Sequence, residues 1–259
     1  MKLALGVEYV GTNYYGWQKQ KNLPSIQEEI EKAIFHITSE KVNIICAGRT
    51  DAGVHAIGQV IHFETNTNLP NKAWIMGINS NLPNNISIKW IKKVPDSFHA
   101  RYSAYARRYQ YIIYNNKIRS SLYYNRVNHV YYLLDESSMK RAASYLIGEH
   151  NFISIKQSGC QSISSWRKIY NLSINRYGDY LIIDIKANSF LYHMVRNIVG
   201  VLLDIGSGKK SIDWIKNIIN VNKKINLIKT ASANGLYLVL VYYPHKFLIP
   251  RHFNVKYFF

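Results

Sequence analysis

Two apolar spacings take turns along this chain, and their order leaves few folds open. Lys2 to Val10 alternates, with Leu3, Leu5, Val7 and Tyr9 on one side, which is the period of a half-buried strand. A polar stretch runs from Gly11 to Pro24. Ser25-Ile26-Gln27-Glu28 then spells a capping box, Ser25 accepting from the Glu28 amide while Glu28 reaches back. The helix it opens runs to about Thr38, with Ile26, Ile30, Ala33, Ile34 and Ile37 along one face. Val42 to Ala47 and His55 to Glu64 read as strands around a break at Gly48 to Val54. Pro70 starts a helix to about Asn79, and Ile86 to Val94 returns as a strand. The order of this half is β-α-β-β-α-β.

The second half repeats that order loosely. Tyr105 to Tyr114 is a strand, and Asp135 caps a helix to about Ile147, ended by Gly148. Trp166 to Ile174 and Tyr180 to Ala187 form a hairpin across Tyr177-Gly178-Asp179. Ser189 to Ile205 and Ile212 to Asn220 read as helices, Leu236 to Tyr242 as a last strand, and the tail after Pro244 as irregular structure. The expected fold class is α+β: two ferredoxin-like halves, residues 1–100 and 101–259. Their mainly antiparallel sheets are expected to join into one extended sheet with helices packed on it.

Charge narrows the partner. Lys and Arg number 33 against 15 Asp and Glu, a net +18, and 21 residues are tyrosine. A basic, acid-poor, aromatic-rich surface suits nucleic acid first and an anionic membrane second. A/T-rich coding also favours Lys, Asn, Ile and Tyr, so part of the excess has a compositional source. No apolar run reaches the roughly 20 residues of a membrane span. The start shows no apolar core or cleavage site of a signal peptide, and Cys46 and Cys160 form no C-x-x-C pair. The expected setting is the cytoplasm, with neither disulfide nor metal. The nine histidines include no H-x-x-x-H spacing. Gly206-Ser207-Gly208-Lys209-Lys210 departs from a phosphate loop at both ends, with Leu203 and Lys210 in place of Gly and Ser or Thr.

Three places concentrate chemistry. In Gly48-Arg49-Thr50-Asp51-Ala52-Gly53-Val54-His55, two glycines bracket an Arg and an Asp between two strands. As a tight turn the segment is ordinary. It is longer than a hairpin needs, however, and Arg49 favours an ionised Asp51, a form that acts as nucleophile or base. The helix Ser189 to Ile205 is apolar nearly all round, so Arg196 in its middle either snorkels or needs a carboxylate. Asp51 is a candidate partner, with Asp184 and Asp204 competing. In the run Arg101 to Tyr111, alternation puts Tyr105, Arg107, Tyr109 and Tyr111 on one face, a mixture that binds phosphate and stacks bases. An ordinary surface strand has the same composition. These features alone also suit a non-catalytic RNA-binding protein. A metal- or methyl-transfer enzyme would need a Cys/His cluster or a cofactor loop, and neither is visible.

With these residues in place the chain resembles the tRNA pseudouridine synthase A (TruA) family. The Arg49-Thr50-Asp51-Ala52-Gly53-Val54-His55 segment matches that family's signature loop. Tyr14-Tyr15-Gly16-Trp17-Gln18, Asn81-Leu82-Pro83, Phe98-His99-Ala100-Arg101 and Ala106-Arg107-Arg108-Tyr109 match as well. So do Asp184-Ile185-Lys186-Ala187-Asn188, His193 to Gly200 and Gly235-Leu236-Tyr237-Leu238, which carries the likeness across about residues 2–244. Asn234 departs from the expected charged residue, and the tail from Phe247 matches nothing in the family. The resemblance implies conversion of uridine to pseudouridine at positions 38 to 40 of the tRNA anticodon stem-loop, by a homodimer without cofactor or metal. Carried over by position, it implies that Asp51 is the catalytic aspartate and that Arg196 pairs with it. Tyr109 is implied to stack on the target base, with its hydroxyl a candidate for the later proton transfer. Arg49 is implied to enter the space of the flipped-out nucleotide and Leu236 to pack under the base. His55, Arg101 and Arg107 join the substrate contacts, the two arginines at phosphates.

Overall fold

A computed structural model describes the chain except for residues 158, 161, 222, 224, 226, 227 and 252–259. It is a mixed α+β structure. Among the described residues are ten strands and five α-helices, and the chain divides into two compact units: residues 1–107 with those from Tyr237 on, and Arg108–Leu236.

In the first unit the strands are β1 (Lys2–Tyr9), β2 (Ile45–Cys46), β3 (His55–Glu64) and β4 (Ile86–Val94). They are ordered β4-β1-β3, β2 pairing on β3, and β10 (Leu236–Tyr242) continues the order beside β3. β1 lies antiparallel to both neighbours, Leu5 facing Ile61 on one side and Ile91 on the other. β10 runs parallel to β3 in the register Tyr237↔His55. Buried on both sides, β1 needs apolar residues at successive positions, and Leu3, Ala4, Leu5 and Val7 are all buried. Helix α1 (Ile26–Thr38) begins at the capping box, the Ser25 hydroxyl accepting from Glu28 N at 3.3 Å. Ile26, Ile30, Ala33 and Ile34 form its inward stripe. Helix α2 (Asn71–Ser80) turns in Trp74 and Ile78, and the Asn79 side chain brackets Ile88 on β4 at 2.7 and 3.0 Å. Phe98 sits between Tyr243 and Phe247, both at 5.2 Å between ring centroids. The irregular tail therefore packs, as far as it is described.

In the second unit the order is β5-β9-β8-β7, with β6 beside β5. Here β5 is Ala106–Asn115, β6 Asn128–Val130, β7 Gly148–Asn151, β8 Trp166–Tyr177 and β9 Tyr180–Ala187. β7, β8 and β9 are antiparallel neighbours. Helix α3 (Glu136–Ser144) is capped by Asp135 and buries Met139, Ala142 and Ala143. Helix α4 (Met194–Gly206) is buried along most of its length, and α5 (Asp213–Asn220) turns in Ile215 and Ile218.

The helix expected from Ser189 starts later, at Met194. His193 takes a left-handed conformation, φ 59°, which breaks any helix running through it. α3 ends three residues before Ile147. The edge strands β6 and β7 were not legible, since neither alternates apolar with polar residues. No helix among the described residues is long and apolar enough to cross a membrane.

Candidate active site

The loop from Gly48 to Val54 joins β2 to β3, and buried groups hold it from several sides. Gln59, fully buried in β3, donates from Nε2 to the Gly48 carbonyl at 2.6 Å and accepts from Gly48 N at 3.4 Å. Arg107 donates from Nη2 to the carbonyl of Ala47, at 3.0 Å, just before the loop. Thr50 turns inward, its Oγ1 2.7 Å from the buried Tyr9 hydroxyl, and its carbonyl accepts from Trp17 N at 3.0 Å. Gly16 closes over it with φ +92°, and a Cβ there would stand 2.7 Å from the Thr50 oxygen. Val54 N donates to the Asp51 carbonyl at 3.1 Å. With Thr50 anchored inside, Arg49 and Ala52 face solvent and Asp51 is half-buried between them.

The other residues of this unit divide by direction. His55 is 1% exposed; its Nδ1 accepts from Gly11 N at 3.1 Å and its ring stacks on Tyr237 at 4.7 Å. It ties Gly11, just after β1, and the strand β10 to the end of the loop. Arg107 is likewise inward. Its guanidinium also donates to the carbonyls of Ala104 at 3.0 Å and Arg101 at 2.6 Å, so its charge supports main chain where a phosphate contact was expected. Arg101 is exposed, its guanidinium 5.5 Å from the ring of exposed Tyr102. Cys46 is buried and burial pushes its thiol up to about 12, as suits a core residue.

In the second unit Tyr109 meets Phe190 edge to face at 5.0 Å, so one side of its ring is walled. Arg196 is half-buried on the first turn of α4. Its Nε donates to the Ala231 carbonyl at 2.8 Å, and its Nη1 lies 3.2 Å from His193 Nε2. Asp184 is not its partner, because Arg108 holds both Asp184 oxygens, at 2.6 to 3.0 Å, and Gln110 adds a bond at 2.7 Å. Tyr111 donates to the Ser232 carbonyl at 2.8 Å; burial raises its pKa, against the lowering effect of the Arg196 charge. Leu236, 5% exposed, opens β10.

Sequence reading missed Tyr9, Gln59 and the Arg108–Asp184 pair. For Gln59 a signal existed: an amide at an inward position of a strand must find partners. Among the described residues no three His, Cys, Asp or Glu side chains stand together as a metal site. Chemically, the first unit offers a carboxylate on a stiff loop beside an exposed arginine, and the second an aromatic ring and a guanidinium on strand and helix.

A family model described as tRNA pseudouridine synthase matches residues 6–103 and 142–244. The chain belongs to that family, and it is an isomerase. It is 52% identical over 256 residues to the tRNA pseudouridine synthase A of Buchnera aphidicola subsp. Acyrthosiphon pisum (strain APS), covering 99% of this chain and 96% of the relative. It is 50% identical over 251 residues to the enzyme of that name from Haemophilus influenzae (strain PittGG), with 97% and 93% covered. The Vibrio parahaemolyticus enzyme is 50% identical over 250 residues, with 96% and 95% covered. A solved H/ACA ribonucleoprotein bound to a substrate RNA covers 78% of this chain and 44% of its own at 12% identity and TM-score 0.37, a distance at which it carries no argument here.

Proposed function

We propose that this enzyme isomerises uridine to pseudouridine at positions 38, 39 and 40 of the tRNA anticodon stem-loop, by base flipping, with ionised Asp51 and no cofactor. The observation that carries the reading is the pinned loop that holds Asp51 half-buried between inward Thr50 and exposed Ala52, with Arg49 exposed beside it. Near-complete alignment with tRNA pseudouridine synthases A supports the substrate.

The reaction breaks the C1′–N1 bond, rotates uracil and joins C1′ to C5; the C5 proton leaves and N1 takes up a proton, so the product is an isomer. Oxidation state is conserved, so neither oxidant nor reductant is consumed. An ionised Asp51 serves attack at C1′, attack at C6, or removal of the C2′ proton on a glycal route. Extruding the base costs a few kcal/mol, and Tyr109 offsets part by stacking, worth about 1–3 kcal/mol per base. Arg49 fills the vacated space, Arg196 pairs with Asp51, and Leu236 packs under the base. Arg101 meets phosphate. His55 and Arg107 act through the loop and strand they hold. Residues 1–100 and 101–259 are read as two split β-α-β halves, and the enzyme as a cytoplasmic homodimer.

Tritium release from [5-³H]uridine-labelled tRNA, with no cofactor added, tests the reading. Wild type releases label, whereas Asp51→Asn and Asp51→Ala release none and bind tRNA within a few-fold of wild type. Turnover of Asp51→Ala above about one per cent of wild type removes the nucleophile or base.

A further inference from the structure

The open face of the β8–β9 hairpin carries a feature that the uridine chemistry does not use. β8 begins Trp166-Arg167-Lys168-Ile169-Tyr170, and these five side chains alternate, Trp166, Lys168 and Tyr170 exposed, Arg167 and Ile169 buried, up to a register shift at Tyr170. The inward set faces the side on which α3 packs. The outward set leaves 56% of Trp166 and 43% of Tyr170 in solvent. The ammonium groups of Lys168 and Lys186 lie 5.9 and 5.8 Å from the Tyr170 ring centroid. This arrangement sits on fixed main chain. Asn188 N donates to the Lys168 carbonyl, and Lys168 N to Asn188 Oδ1, both at 3.1 Å. Of the carboxylates on this face, Asp184 is closed under Arg108 and Gln110, and Glu149 takes the β7 position opposite Lys168.

Two kinds of chemistry meet here. An exposed indole and phenol on one strand bury well against planar rings, and ammonium groups beside a ring attract anions. Unpaired RNA supplies both, its bases for the rings and its phosphates for the lysines. A second copy docked with its two-fold axis at Tyr170 would bring the lysine pair against itself.

We propose that Trp166, Lys168, Tyr170 and Lys186 form a further RNA-contact surface that stacks unpaired nucleotides of the substrate other than the target uridine. The proposal rests on the reading of this chain as a tRNA-modifying enzyme.

The test uses the full chain, fluorescein-labelled oligouridylate and a tRNA transcript, with affinities from anisotropy. Trp166→Ala and Tyr170→Ala are exposed positions, and circular dichroism checks that both fold. Each should weaken oligouridylate by about 5- to 150-fold, the worth of one stacked base, while Tyr170→Phe stays within about twofold. Lys168→Gln with Lys186→Gln should lower the slope of log affinity against log salt by roughly 0.7 for each lost phosphate contact. Tyr145→Ala is the control. That tyrosine follows α3 and also carries a lysine, Lys216 at 4.9 Å, and its loss should change nothing. Wild-type affinity in both alanine variants overturns the proposal. So does sedimentation that turns a wild-type dimer into monomer in Trp166→Ala, which would show that a second copy covers the face. Failure of the functional reading looks different: wild type binds oligouridylate but releases no tritium from tRNA.

Discussion

Tyr9 and Gln59 are placed to govern catalysis without touching a reacting atom. The Tyr9 hydroxyl is 2.7 Å from Thr50 Oγ1 and 3.5 Å from Gln59 Nε2, and Gln59 grips Gly48 on both its amide and its carbonyl. Together they fix the two residues between which Arg49 points outward. Tyr9→Phe removes the hydroxyl and leaves that of Thr50 buried without it, at a cost of about 1–3 kcal/mol. A displacement of the order of 1 Å at a reacting group lowers rate about 10²-fold. Tyr9→Phe should therefore slow single-turnover tritium release by roughly 10- to 100-fold, with tRNA affinity within about twofold. Equal losses in rate and affinity would show that Tyr9 serves only the fold. Nothing near Gly48 in the sequence points to Gln59, which lies beyond the loop in the next strand. The arginine and aspartate of the loop were legible because their residue types carry chemistry. Their supports were not, because amides and hydroxyls at inward strand positions declare a need for partners without naming them.

At the scale of elements, legibility followed local periodicity. β3, β4, β9 and β10 begin and end where the alternation places them, and the capping box places the start of α1. α4 shows the limit: Phe190 and Leu191 extend its apolar pattern, but Phe190 instead meets Tyr109, and His193 turns left-handed to release it. β7 exists because β8 pairs with it, a non-local cause. Strand register also decided the fate of Asp184. It lies within reach of Arg108 and Gln110, and no count of scarce acids reveals that. Asp184→Asn weakens the hold on a half-buried guanidinium, and should destabilise the protein by roughly 1.5–3 kcal/mol, read as a lower urea midpoint. Adding Arg108→Met should recover part of the loss; additive losses would mean that the two side chains act separately.

β3 carries a second buried group with a measurable consequence. His62 accepts from Ala100 N through Nδ1 at 3.1 Å and faces Phe98, His99, Lys2 and Glu64. Burial, then the neighbouring His99 and Lys2 charges, lower its pKa from 6.5 to about 4. The unfolded chain thus binds a proton more readily than the folded one between those values. The contribution of His62 to stability is present above pH 6.5 and is lost as pH falls towards 4. His99, also lowered by burial, adds in the same direction. His62→Gln should flatten the fall of the urea midpoint between pH 6.5 and 4.5. Parallel curves for the two proteins would assign the acid sensitivity to other groups.

Over the whole molecule the excess of 18 positive charges either serves RNA or records coding bias, and salt separates the two. A protein that neutralises phosphates releases their counterions, so the logarithm of affinity falls linearly with the logarithm of salt. With roughly 6–10 phosphate contacts, affinity for tRNA should drop about 10³- to 10⁵-fold between 50 and 200 mM salt. A flat dependence would leave the charge without a binding role. The structure sharpens the test through two arginines six residues apart. Arg101 is exposed beside Tyr102, so Arg101→Ala should lower the salt slope by about one, weaken different RNAs alike and leave the urea midpoint unchanged. Arg107 is buried on the carbonyls of Ala47, Arg101 and Ala104. Arg107→Ala should leave the slope near its wild-type value, lower the urea midpoint because three carbonyls, two of them buried, lose their donor, and slow the chemical step as the loop loosens at Ala47. If instead the slope falls in Arg107→Ala while stability holds, its guanidinium leaves those carbonyls for phosphate when RNA binds.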